Sequence, residues 1–150
     1  MTFTPNTQSP GPEPVDPRRG LLHPKRRKNF AVAFVFFWFF LGGVAHFAAT
    51  ETEMRIVPLY IPWPRAAVIT SGVFELIGAM GLIWSTTRRV AGLGLFTLTI
   101  AVTPAHIYML QRPELFDLPM WALWIRLPIQ VALLWLIAWC TGALQRSRAR

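Results

Sequence analysis

Residues 30–48 read FAVAFVFFWFFLGGVAHFA, an apolar run whose one ionisable side chain is His46. As a helix rising about 1.5 Å per residue, such a run approaches the ~30 Å thickness of a bilayer's hydrocarbon core. Three further runs follow, at about 66–84, 90–110 and 119–141, and they carry Glu75, His106 and Arg126. Four such runs predict an all-α fold, an integral membrane four-helix bundle over residues 30–141. It is flanked by a disordered, proline-rich basic tail over 1–29 and a short basic tail over 142–150. In the first tail Pro5, Pro10, Pro12, Pro14, Pro17 and Pro24 alternate with polar residues, which opposes regular helix and offers little apolar area to bury.

Composition supports this class. The chain of 150 residues is 53% hydrophobic and only 15% charged, whereas a soluble domain has about 25% charged residues with which to wet its surface. A net charge of +8 raises the question of nucleic acid, but the charge is not spread as a binding face. Arg18, Arg19, Lys25, Arg26, Arg27 and Lys28 precede the first run; Arg88 and Arg89 separate the second from the third; Arg146, Arg148 and Arg150 follow the fourth. The alternate loops hold Arg55, Arg65 and Arg112, diluted by Glu51, Glu53, Glu114 and Asp117. Lys and Arg flanking spans are retained on the cytoplasmic side. The pattern predicts a multi-pass protein of the cell inner (plasma) membrane with both termini cytoplasmic, the lipid bilayer as its partner and no nucleic acid.

A basic cluster before an apolar run also describes a secretory signal, and Gly43-Val44-Ala45 supplies a small-x-small end. The length of the preceding tail and the density of Phe34, Phe36, Phe37, Trp38, Phe39 and Phe40 favour a retained helix. Cys140, the single cysteine, excludes an intramolecular disulfide and a dithiol motif. Residues 49–64 read as a loop lying on the outer surface or covering the helices. Pro58, Pro62 and Pro64 forbid a continuous helix there, while Tyr60 and Trp63 are of the types that settle at a membrane interface.

The ionisable residues decide what the helices contain. Ala67, Ser71, Gly78 and Ala79 flank Glu75 at helical spacing, and small side chains let helices approach closely in lipid. Thr99, Thr103 and His106 share a face of the third helix, which Pro104 should kink. Arg126 and Gln130 share a face of the fourth, with Pro128 between them. Counting along helices of alternating direction puts His46 and His106 about 24 Å from the cytoplasmic edge. Glu75 and Arg126 lie about 14 and 10 Å below the outer edge. All four thus fall in the outer half, and pairing of Glu75 with Arg126 is the expected charge balance, with Gln130 taking further hydrogen bonds. Two His and one Glu form a conceivable ligand set, but a neighbouring Arg repels cations, so no metal is expected. No nucleotide-binding glycine loop is present: Gly92-x-Gly94 and Gly78-x-x-Gly81 read as close helix contacts.

The order and spacing of several short motifs resemble the DoxX-like family of small four-helix membrane proteins. These are Gly43-Val44-Ala45-His46-Phe47, Arg55-Ile56-Val57-Pro58 through Ile61-Pro62, and Ser71-Gly72-Val73-Phe74-Glu75-Leu76 with Gly78 and Gly81. Thr103-Pro104-Ala105-His106-Ile107-Tyr108-Met109 and Arg126-Leu127-Pro128-Ile129-Gln130 with Trp135 complete the set. Where many members carry Asn after Pro-Ala, this chain has His106. The resemblance implies a redox-associated subunit of a larger complex, with a quinone-like or small polar ligand bound noncovalently.

Two functions follow from the residues. In one, His46, Glu75, His106, Arg126 and Gln130 line a ligand site in the outer half of the bundle. In the other the protein is a non-catalytic scaffold or assembly partner, and Glu75 and Arg126 form a structural clamp. The sequence identifies no catalytic residue, and it leaves enzyme activity and homo-oligomer formation open. A transporter has less support, since no inverted repeat is visible.

Overall fold

The computed structural model describes residues 24–116 and 118–145. Among them every regular element is helical: α1 (Pro24–Ala48), α2 (Thr50–Met54), α3 (Pro64–Gly81), α4 (Arg88–Ala101), α5 (Thr103–Gln111), a three-ten turn at Pro113–Leu115, and α6 (Met120–Thr141). Three helical stretches are long and apolar enough to cross a membrane: Lys25–Ala48, Arg88–Gln111 and Met120–Thr141. Their outward faces carry exposed Phe34, Phe37 and Leu41, then Val90, Leu93 and Ile100, then Trp121, Trp124, Val131 and Trp135. Water solvates such faces poorly and a bilayer solvates them well, which is the signature of a helical membrane protein.

Several boundaries differ from the sequence reading, each for a local reason. α1 starts at Pro24, six residues before the expected run, so 24–29 are helix and not tail. Proline has no N–H to donate and a fixed helical φ, so it fits a first turn, and the Lys and Arg residues after it are good helix formers. The expected tail over 1–23 and the end of the C-terminal tail at 146–150 lie outside the described residues. The loop over 49–64 contains a helical turn, α2, because its prolines begin only at Pro58. There Thr50 Oγ1 donates to the carbonyls of His46 (2.6 Å) and Phe47 (3.2 Å), satisfying the end of α1. The helix break expected near Pro104 falls at Val102, between α4 and α5, whereas α6 runs through Pro128 uninterrupted.

Packing divides the molecule into two unlike ends. α1 lies along α3, α3 along α4, α4 along α6, and α6 returns to α1. At the end where α1 begins and α6 finishes, Val32, Val35 and Phe39 meet Ala79, Leu82, Leu95, Leu133, Ile137 and Cys140 in an apolar core. The α3–α4 turn is tied there by Thr87 Oγ1 to the Gly81 carbonyl (2.7 Å) and by Arg88 Nε to the Leu82 carbonyl (3.1 Å). Arg89 donates to the Gln145 carbonyl, which anchors the segment after α6. Toward the opposite end Val68, Met109 and Leu123 are buried outside that cluster, and His46, Glu75, His106 and Arg126 lie there.

Glycines set the helix separations. A Cβ added at Gly92 would stand 2.6 Å from Thr141 Cβ, whereas one added at Gly94 meets nothing within 4 Å. Gly92→Ala should therefore lower stability by about 1–3 kcal/mol through overpacking. Gly94→Ala should hold or raise it by up to about 1 kcal/mol through helix propensity. Unfolding midpoints of the two variants in mild detergent check this pair, and equal midpoints would contradict the close α4–α6 approach.

Candidate functional site

The five candidate residues line one cavity system from four helices. His46 comes from the last turn of α1, Glu75 from the middle of α3, His106 from α5, and Arg126 and Gln130 from α6. Two lobes of about 440 Å³ each are present, a size that suits a small ligand. Both lobes are lined by Trp38, Glu75, Val102, His106 and Arg126. The lobe nearer the α2–α3 loop adds His46, Glu53 and Ser71 and is covered by Ile56, Val57, Pro58, Tyr60 and Ile61. The expectation that the proline-rich segment covers the helices thus has a definite geometry, with Pro58 buried while Leu59 and Trp63 face outward. The other lobe runs toward the apolar core past Phe39, Leu98, Ile129 and Leu133, and it contains Gln130.

The expected Glu75–Arg126 ion pair is corrected by this geometry. His46 Nε2 faces Glu75 Oε1 at 3.4 Å, and the two side chains are only 18% and 12% exposed. The reason is helix adjacency. α3 packs on α1 and α4, and α6 on α1, α4 and α5, so Glu75 and Arg126 line the same lobes from helices that are not packed on one another. The α1–α3 contact is close because glycines form it. A Cβ at Gly43 would lie 3.1 Å from the Gly72 carbonyl oxygen, and one at Gly72 would lie 2.8 Å from His46 Cβ. Gly42 makes the room into which the Glu75 carboxylate turns, for a Cβ there would stand 2.7 Å from Oε2.

Gln130 is held differently. Its Nε2 donates to the Thr99 carbonyl (2.5 Å) and to Thr103 Oγ1 (2.7 Å), just where α4 gives way to α5. A carbonyl oxygen can only accept, which fixes the amide orientation and leaves Oε1 without a partner. His46 Nδ1 and His106 Nδ1 are likewise buried without a partner among the described residues. Arg126 makes no ion pair and no hydrogen bond among those residues, although its guanidinium carries five donors. Buried polar groups are ordinarily satisfied, so three buried unmatched atoms on lining residues, with the half-buried Arg126 beside them, set this cavity apart from a packed core. No three His, Cys, Asp or Glu side chains converge as a metal-ligand group among the described residues.

The five residues singled out in the sequence all line these lobes, but the sequence reading overlooked Trp38, Val102 and Gly42. Trp38 and Val102 look like ordinary apolar residues in sequence. Gly42 had a visible signal in the Gly42-Gly43 pair, which breaks a run of bulky aromatics at the level of Glu75.

The fold and site thus define a helical membrane protein with a half-open, largely apolar cavity into which a few polar side chains are set at one end. Residues 35–142 match the model of a domain of unknown function, DUF8561, and the chain belongs to that family. The match runs from the middle of α1 to the end of α6, so it includes every wall of the cavity. No curated protein and no solved structure matches the chain.

Proposed function

We propose that this is a four-helix membrane protein of DoxX-like kind that binds a quinone-like molecule in the outer half of its bundle, as a redox-associated subunit. The observation that carries this reading is the pair of neighbouring lobes that share Glu75, His106 and Arg126 in their linings. In it α3 is the fourth span: it lies between α1 and α4, and its charged residues are Arg65 and Glu75. Lys25, Arg26, Arg27 and Lys28 in the first turns of α1, with Arg88 and Arg89 at the start of α4, support cytoplasmic termini in the inner (plasma) membrane.

A ring carbonyl would accept a hydrogen bond from His106 or Arg126, while the His46–Glu75 pair lies within reach to exchange a proton with the bound molecule. Titrating the purified protein with a short-chain ubiquinone or menaquinone analogue tests this. Saturable binding is expected, weakened about tenfold in Glu75→Gln, the effect of one buried hydrogen-bonding group. Absent binding, or identical binding to the variant, would refute it. A second reading, a non-catalytic membrane scaffold, is favoured by the His46–Glu75 pair at the glycine contact of α1 and α3, which would serve as the structural clamp.

A further inference from the structure

From the donor and acceptor inventory of this cavity we infer that its ligand is acidic, carrying an ionised oxygen that docks on Arg126. The inference rests on the cavity being a ligand site and names the chemistry of what enters it. In the lobe that runs toward the core, Gln130 Oε1 and His106 Nδ1 keep no partner among the described residues, but the hydroxyl and amide donors are spent within the protein. The Thr99 hydroxyl donates to the Leu95 carbonyl (2.7 Å), and the Gln130 amide nitrogen donates to Thr99 and Thr103. Glu75 is engaged by His46 across 3.4 Å, and Glu53 lines only the lobe beneath the loop. Arg126 reaches both lobes with no carboxylate within ion-pair distance among the described residues.

A guanidinium stays charged under all ordinary conditions and can only donate. Within a span, such a group normally finds an anion or a carbonyl oxygen as partner. An oxyanion matches it best, because its planar fork forms paired, charge-assisted bonds to a carboxylate. Beyond Arg126 the wall turns apolar at Leu98, Ile129 and Leu133. The fitting molecule is therefore a small amphiphile: an acidic head at Arg126 and a ring or short chain directed toward the core. Acidic hydroxyl, carboxylate and phosphate heads share this chemistry, and an anionic lipid is a second source of it.

The decisive comparison uses 2-naphthoate and its neutral isostere 2-naphthamide, titrated against the full chain in phosphatidylcholine nanodiscs. Wild type should bind the acid at least tenfold more tightly, and Arg126→Gln should erase that preference. Equal binding of acid and amide, or a preference that survives Arg126→Gln, overturns the inference. The wild-type comparison decides the matter by itself should the variant fail to fold. Repeating it with phosphatidylglycerol separates the sources: loss of naphthoate binding there supports an oxyanion site filled by a lipid head group, and retention supports one for a free acid. A neutral quinone analogue in parallel keeps the two readings apart. Quinone binding without an acid preference sinks only the acidic ligand, and acid binding without quinone sinks only the quinone. If nothing binds, both fall.

Discussion

Replacing His46 with leucine is expected to lower stability by about 3 kcal/mol, and replacing Glu75 by leucine as well should return most of that loss. His46 and Glu75 are mostly buried and face one another at 3.4 Å, and no other residue stands within ion-pair distance of Glu75 among those described. Removing the imidazole leaves a carboxylate in a low-dielectric interior with its partner gone, which is the costly half of a buried pair. Removing both groups eliminates the desolvation along with the attraction, so the double variant should lie near wild type. Reversible unfolding of the four proteins in mild detergent gives the coupling energy directly. If the single losses simply add, the pair contributes nothing as a pair and the α1–α3 contact rests on glycine packing alone. The same double variant divides the two functional readings: a scaffold regains its role when stability returns, whereas a ligand site stays impaired.

The spans were readable because burial in lipid demands long apolar runs, and a chain cannot disguise nineteen residues such as 30–48. The expected runs at 90–110 and 119–141 agree with α4–α5 and α6 to within a few residues. Helical rise also grouped His46, Glu75, His106 and Arg126 at one level, and they do line one cavity system. What the rise cannot supply is which helices touch. Pairing Glu75 with Arg126 assumed adjacency between α3 and α6, yet each packs on α1 and α4 instead. Opposite charge at equal depth is therefore insufficient evidence for an ion pair in a bundle. The better clue lay in the small residues. Gly42 and Gly43 in α1 and Gly72 in α3 mark two helices in close approach, and the groups beside them, His46 and Glu75, are the ones that meet.

Gly72→Ala should cost about 2 kcal/mol, and Gly72→Val more, because no flexible side chain can yield to the new atom. A Cβ at position 72 would stand 2.8 Å from His46 Cβ and 3.2 Å from the Gly43 carbonyl oxygen. Both atoms belong to the framework of α1, so relief requires the helices to separate. Separation forfeits dispersion contacts along the whole interface, which in lipid is the main source of helix association. It also draws His46 away from Glu75, so in Gly72→Ala the coupling measured between those residues should shrink. Gly42→Ala is the informative contrast. Its Cβ would meet Glu75 Oε2, the far end of a side chain that can rotate, at 2.7 Å. Stability should then fall by less than in Gly72→Ala, because the carboxylate can turn into the cavity without parting the helices, while ligand binding weakens. A Gly72→Ala protein as stable as wild type would show that α1 and α3 do not approach so closely. A Gly42→Ala protein that unfolds as readily as Gly72→Ala would show that the Glu75 carboxylate, like the backbone beside Gly72, has nowhere to go.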